Sequence, residues 1–391
     1  MKKPILILIL ASSLWIPIRA WAGPDQDLHK GIQTGKSALV EQALLQGANP
    51  NQVVKIGRED WTALSWAAKW NNFKLARLLL EKGANPNQIV QTQAQGQVPG
   101  IMIMAPILLW ALQANQPDLV KLLLAKGADP KARIPRGNTA LMVAVSTENP
   151  SMAKLLLERG VDPNARNDTG WTALMYAAAG NHLEAMQLLL ERDIDLNAAD
   201  DLGSTALMYA IYFGHQDPVK LLLAKGADPK AKTPAGITVL MMAADSGDPE
   251  LVKLMLERDV DIDATTESGW TALMLAAFKG YENVAKLLLA QGADPKLKTP
   301  TDHTLLMAAA AGGNLELIKL LLEMGLDPKA SNKSGETALM LAAKAGPLDI
   351  VKLLLVKGAD PRARNKDGDT ALEYARYGEQ AEIAQYLQTL K

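Results

Sequence analysis

Apolar and polar positions recur along this chain with a period of 33 residues. One period, residues 170–202, runs Gly170-Trp171-Thr172-Ala173-Leu174-Met175, then Ala177-Ala178, then Leu188-Leu189-Leu190, and closes with Asp195-Leu196-Asn197 before Gly203 opens the next. The threonine returns at Thr139, Thr172, Thr205, Thr238, Thr271, Thr304, Thr337 and Thr370 without insertion or deletion. Repetition at a fixed period decides architecture before single residues are weighed. Within each period the spacing predicts two short helices. The threonine starts the first, its hydroxyl able to satisfy an orphan backbone N–H. Leucine two residues later (Leu64, Leu141, Leu174) and alanine five later (Ala67, Ala144, Ala177) face the neighbouring period. The second helix carries the leucine triplet and closes at glycine, which tolerates a left-handed C-terminal conformation. Such a pair cannot bury its own apolar face; stacking on neighbours does so.

The pattern is irregular near its ends. Residues 26–51 form a first unit in which Gln42 stands where later units have leucine, as an end-cap requires. The second unit starts at Thr62 after a connector over residues 52–60 that is three residues longer than standard. The third starts at Pro106, after a connector with eleven extra residues. In that insertion, residues 88–105, glutamine alternates with apolar residues around Gly96. It reads as an extended β-hairpin finger, with an inserted mobile loop as the equal alternative. Gln388 in the last, shortened unit replaces another leucine. The expected organisation is a signal peptide (1–22), an N-terminal capping unit and connector (23–61), internal units (62–369) and a C-terminal capping unit (370–391).

Composition narrows the function. A chain with 48% hydrophobic and 21% charged residues is globular rather than disordered. The absence of cysteine excludes a disulfide framework and thiol chemistry. A net charge of -1 lacks the basic excess of a nucleic-acid binder. Lys2 and Lys3, the apolar run over residues 5–18 and Ala20-Trp21-Ala22 read as a secretory signal cleaved after Ala22. The run is shorter than the roughly 20 residues of a spanning helix. An exported protein, periplasmic or secreted, without stable membrane insertion is therefore expected. Cleavage leaves 38 basic against 42 acidic side chains.

The 33-residue period, the Gly-x-Thr-Ala-Leu opening, the paired alanines, the leucine-rich second helix and the Gly-Ala-Asp close resemble the ankyrin repeat over roughly residues 26–391, in about eleven units. The resemblance implies an all-α ankyrin-repeat solenoid of stacked helix pairs with short β-hairpin-like connectors. Two departures stand out. Met142, Met175, Met208, Met241, Met274, Met307 and Met340 occupy a position where the family commonly has histidine, and they read as pliable apolar filler. Asp193 and Asp259 replace the helix-closing glycine, so both are expected to be soft joints.

No constellation for catalysis is found. None of His29, His182, His215 and His303 has a triad-like partner spacing. Asp259-x-Asp261-x-Asp263 resembles the start of a calcium loop, but Ala264 and Trp270 stand where that loop needs glycine and glutamate. No metal or cofactor is expected. Aromatic placement is more informative. The residue before the helix-starting threonine is tryptophan at Trp61, Trp171 and Trp270. The resemblance places this position, with the first-helix end, on a concave binding surface. Trp61, Trp70, Trp171, Tyr212, Phe213, Trp270 and Phe278 are therefore the candidate contact residues, with Trp171, Tyr212, Phe213, Trp270 and Phe278 expected to form one band. Trp66, Trp110, Tyr176 and Tyr209 either join them or pack between repeats. Basic pairs two apart, such as Lys230 and Lys232 or Lys296 and Lys298, edge the connectors; they read as solvated charges or as complements to an acidic partner or an anionic glycan. The expected function is a non-catalytic, monomeric scaffold that binds a protein partner. The alternative is a carbohydrate or cell-wall binding module whose tryptophans stack on sugar rings.

Overall fold

The computed structural model describes residues 23–56, 59–93, 102–134, 136–147 and 149–390. The expected signal peptide and the centre of the 88–105 insertion lie outside the described residues. Twenty-two helices are described, and the fold is an all-α solenoid of stacked helix pairs. Packing divides the described residues into two units, one taking those of 23–147 with Glu158–Val161, the other those of 149–157 with 162–390.

The first unit opens with helices Pro24–Thr34 and Ser37–Leu45, on which Gln42 is exposed. It also holds a four-stranded sheet: β1 (Val53–Ile56), β2 (Glu59–Thr62), β3 (Ile89–Gln93) and β4 (Met102–Pro106), in that order. Within the insertion the described residues pair as strands, with β3 and β4 antiparallel and Ile89 opposite Pro106. Unexpectedly, both long connectors join into one sheet through Asp60 opposite Gln91. Neighbouring repeats are also tied by side-chain bonds to backbone. Asn51 Nδ2 donates to the Gly83 carbonyl at 3.0 Å while its Oδ1 accepts from Asn85 N–H at 2.7 Å. Asn87 repeats this bridge to Gly127 and Asp129.

In the second unit the first helices of successive repeats pack side by side, among them Ala173–Ala179, Ala206–Tyr212, Val239–Ser246, Ala272–Phe278 and Leu305–Gly312. The sequence pattern explains both their start and their burial. Thr172, Thr205, Thr238 and Thr271 each accept at Oγ1 from the N–H three residues on. The methionines are more than filler: Met175 and Met241 Sδ accept from the Thr172 and Thr238 N–H at 3.4 Å, closing a capping box. Ser65 in the first unit and Glu373 at the C-terminal end perform the same service with oxygen. Ala177, Ala210, Ala243, Ala276 and Ala309 are fully buried, so the helices approach closely. Leu174, Leu207, Leu240 and Leu273 are buried beside them, each burial contributing about 1.5–3 kcal/mol.

The two helix-closing aspartates behave differently from each other. Asp259 adopts φ 53 and its carboxylate meets Lys230 Nζ at 2.9 Å. Asp193 is not among the residues with positive φ. The strain expected at Asp193 therefore does not arise, because the backbone closes that helix without the left-handed turn.

Candidate functional site

Each repeat of the second unit presents a hairpin tip just before its first helix. The first residue of the tip closes the loop with its own side chain. Thr266 Oγ1 accepts from Trp270 N–H at 3.0 Å, Thr299 Oγ1 from His303 N–H at 3.0 Å, and Asn167 Oδ1 from Trp171 N–H at 2.8 Å. The residue before the helix-starting threonine is thereby fixed in direction. Successive tips also touch. Gly269 has φ 80, and a Cβ there would lie 2.3 Å from Pro300 Cδ, so glycine serves both the turn and the close approach.

What fills the space under a tip depends on the fourth residue after that threonine. In three repeats it is tyrosine: Tyr374 in the last, bonded to Asn365 and Glu336, and Tyr176 and Tyr209 in two adjacent ones. Tyr209 OH donates to Asp200 Oδ2 at 2.5 Å, and Asn167 Nδ2 donates to Tyr176 OH at 3.4 Å. Burial and the Asp200 carboxylate push the Tyr209 hydroxyl far above its ordinary range. Trp171 packs on both rings, with centroids at 4.9 Å from Tyr176 and 4.2 Å from Tyr209. These tips are closed by a hydrogen-bonded aromatic plug.

The next two repeats have Met242 and Leu275 at that position, and threonine replaces the hydrogen-bonding Asp or Asn of the tip. Neither side chain can bond to the tip. An apolar hollow of about 570 Å³ results, lined by Tyr212, Ile237, Met242, Trp270, Leu275 and Phe278. Its size falls within the roughly 300–1,000 Å³ range of ligand sites. Asp245 and Lys279, also on the lining, pair with each other at 3.2 Å. Trp270 is half-buried and held on two sides. Phe278 meets it edge-on at 5.6 Å and 83°, and His303 lies nearly parallel at 5.5 Å and 28°. His303 Nε2 is buried without a hydrogen-bond partner. Burial holds the His303 pKa below its ordinary value despite the opposing pull of Glu336, so the ring is neutral at pH 7.

The structure thus brings together three of the expected contact residues, Tyr212, Trp270 and Phe278. The single aromatic band is not formed. Trp171 belongs to the tyrosine plug, and Phe213 packs against Tyr212 at 5.1 Å and His215 at 6.1 Å without lining the hollow. In the first unit Trp70 is exposed, whereas Trp61 is only 4% exposed. The reading of Trp61 as a contact residue is corrected accordingly: strand β2 seats its ring, Glu59 accepts from Nε1 at 3.0 Å, and Lys69 Nζ covers one face at 4.5 Å. Trp66 is likewise buried. Ile237, Met242 and Leu275 were missed by sequence reasoning, although the loss of tyrosine at a fixed register was a readable signal.

Other candidates are accounted for locally. Asp261 Oδ1 accepts from Asp263 N–H and Asp263 Oδ1 from Asp294 N–H, so the calcium-like aspartates shape connectors. Among the described residues no group of three or more His, Asp or Glu is placed to hold a metal ion. No helix among them is long and apolar enough to cross a membrane.

A family model described as "Ankyrin repeats (3 copies)" matches residues 104–167, 149–233, 207–299 and 305–390. A second, described as "Ankyrin repeat", matches residues 59–90. No curated protein sequence matches the chain.

Proposed function

Because the chain belongs to the ankyrin-repeat family, whose members are generally protein-interaction modules, we propose that it is a non-catalytic scaffold that docks a protein partner on the tip face of the second unit. The hollow around Trp270 is the observation that carries this reading. Its walls are set by the stacked helices and by tips that bond to themselves, so little ordering is needed on association. Phe278 (46% exposed) and Tyr212 (65% exposed) offer apolar area of the kind that anchors partners. Sugar stacking is less favoured: Trp270 gives ring surface to His303 and Phe278, and Trp171 gives its own to Tyr176 and Tyr209. Export with cleavage after Ala22 belongs to the same proposal and rests on the N-terminal sequence.

The test is site-specific photo-cross-linking in the native host. A photoreactive residue at Ile237, on the hollow, should give a discrete protease-sensitive adduct. The same residue at Val356, 82% exposed on helix Leu348–Val356, should not. Equal adducts from both positions, or none from Ile237, would count against the proposed face. N-terminal sequencing of the exported fraction should begin at Gly23; retention of Met1 in a cytoplasmic fraction would refute export.

A further inference from the structure

Charge around the hollow is one-sided. The two tips that line it, residues 233–237 and 266–270, and the tip of residues 299–303 that packs on the second through His303 and Pro300, contain Glu267 and Asp302 but no lysine or arginine. The tip before them, residues 200–204, adds Asp200 and Asp201, again without a base. Asp200 is occupied by Tyr209, and Asp201 faces Arg166 at 3.9 Å. Glu267 and Asp302 form no ion pair among the described residues. Glu267 is exposed and Asp302 partly so. Asp302 has φ 61 at a tip position that is glycine in the tips of residues 233–237 and 266–270. A carboxylate therefore sits where backbone geometry favours glycine. Asp245 and Lys279 pair with each other inside the hollow, which leaves Glu267 and Asp302 as nearby acids without an ion pair; the nearest following base in sequence, Lys333, meets the Asp302 tip through its backbone N–H to the Thr301 carbonyl.

We propose that the occupant of this hollow is a protein segment whose apolar side chains are flanked by lysine or arginine. The apolar residues would cover Trp270, Phe278 and Met242, while the flanking bases meet Glu267 and Asp302. The inference rests on the docking-face reading and adds to it the chemistry of the partner. Rim charges act chiefly on orientation, association rate and choice among partners, whereas the apolar contact sets the lifetime of the complex.

Three fluorescently tagged peptides with a common Leu-Phe-Leu centre, flanked on both sides by lysine, glutamine or glutamate, provide the probe. Titrated by anisotropy against the mature chain at low salt, the lysine peptide should bind about tenfold more tightly than the glutamine peptide, as expected for two exposed ion pairs. The glutamate peptide should bind most weakly, and raising the salt to about 1 M should erase the ranking. Glu267→Gln with Asp302→Asn should remove the lysine preference and leave glutamine-peptide binding unchanged. Asparagine suits this substitution because it tolerates the left-handed backbone. Met242→Tyr and, separately, Leu275→Tyr should weaken all three peptides, with helical circular dichroism showing each variant folded. Equal affinity for the three peptides, with all lost on filling the hollow, would overturn the charge inference alone. Lysine-peptide binding untouched by both filled-hollow variants would also overturn it, by placing the peptide elsewhere. The docking face itself is judged separately, by the Ile237 cross-link.

Discussion

Two adjacent pairs of repeats in the second unit, built on one backbone plan, meet solvent in opposite ways. In the pair that starts at Thr172 and Thr205, a tyrosine plugs the space below each tip and bonds to Asn167 or Asp200. In the pair that starts at Thr238 and Thr271, Met242 and Leu275 stop short and the tip threonines bond only to their own loops. The helices, capping bonds and buried alanines are the same in both. Two substitutions per repeat therefore convert a sealed tip into a hollow without disturbing the stack. In a repeat protein this is cheap, because each unit contacts only its neighbours and a local change is not transmitted far. Stability resides in the shared positions, and recognition in the few that vary.

The largest expected effect concerns glycines at one register on either side of the hollow. A Cβ on Gly312 would lie 2.2 Å from the Ala277 carbonyl oxygen and 2.7 Å from that of Phe278, both backbone atoms. For a Cβ on Gly180 the nearest atoms belong to the His182 side chain, which can move more easily than backbone. Gly312→Ala should cost on the order of 3 kcal/mol and shift Phe278, whereas Gly180→Ala should cost less than about 1 kcal/mol. Urea denaturation midpoints at constant slope distinguish these outcomes. Equal costs would mean that the stack flexes more than its close contacts imply.

The plugs themselves come next. Tyr209→Phe leaves Asp200, only 7% exposed, without the hydroxyl that satisfies Oδ2, and should cost about 1–3 kcal/mol. Met242→Leu, at the same register in an open repeat, removes no hydrogen bond and should cost less than about 1.5 kcal/mol. If the two variants unfold at the same urea concentration, the contrast between sealed and open tips has no energetic content.

A smaller effect should appear with pH. Folded His303 resists protonation because burial holds its pKa below the ordinary value near 6.5. As pH falls below 6.5 the unfolded chain takes up this proton first. Stability present above that pH is therefore lost progressively toward the folded pKa. His303→Phe should flatten the fall in midpoint below about pH 6.5. An unchanged slope would mean that the ring is protonated as readily when folded. The least effect is expected for Lys230→Ala. Its bridge to Asp259 is exposed on both sides, and such pairs contribute little, so the denaturation midpoint should not move measurably.

The repeat, its helix starts and its buried leucines and alanines were legible in the sequence because each depends on local spacing recurring in every unit. The strands at the two ends of the 88–105 insertion were half legible, from the alternation of glutamine with apolar residues, which left a loop as an equal reading. The insertion's pairing with the 52–60 connector was not legible, since Asp60 and Gln91 meet only after the intervening helices are stacked. The candidate site was half legible. Aromatics at tip positions pointed to Trp270, Tyr212 and Phe278, but the same rule selected Trp61, which the local sheet buries. Position within a repeat fixes where a side chain starts, not what the neighbouring repeat lays over it. Trp171 and Trp270 share a register, and the difference between them lies in Tyr176 against Leu275 five residues on, and in Tyr209 against Ala308 in the following repeat.

The most direct measurement is to close the hollow by copying the sealed repeat into the open one. Thr233→Asp with Met242→Tyr recreates the Asp200–Tyr209 pair one repeat along. With the photoreactive residue at Ile237, the account predicts an unchanged or higher denaturation midpoint and loss of the partner adduct. A folded double variant that still gives the wild-type adduct would contradict it.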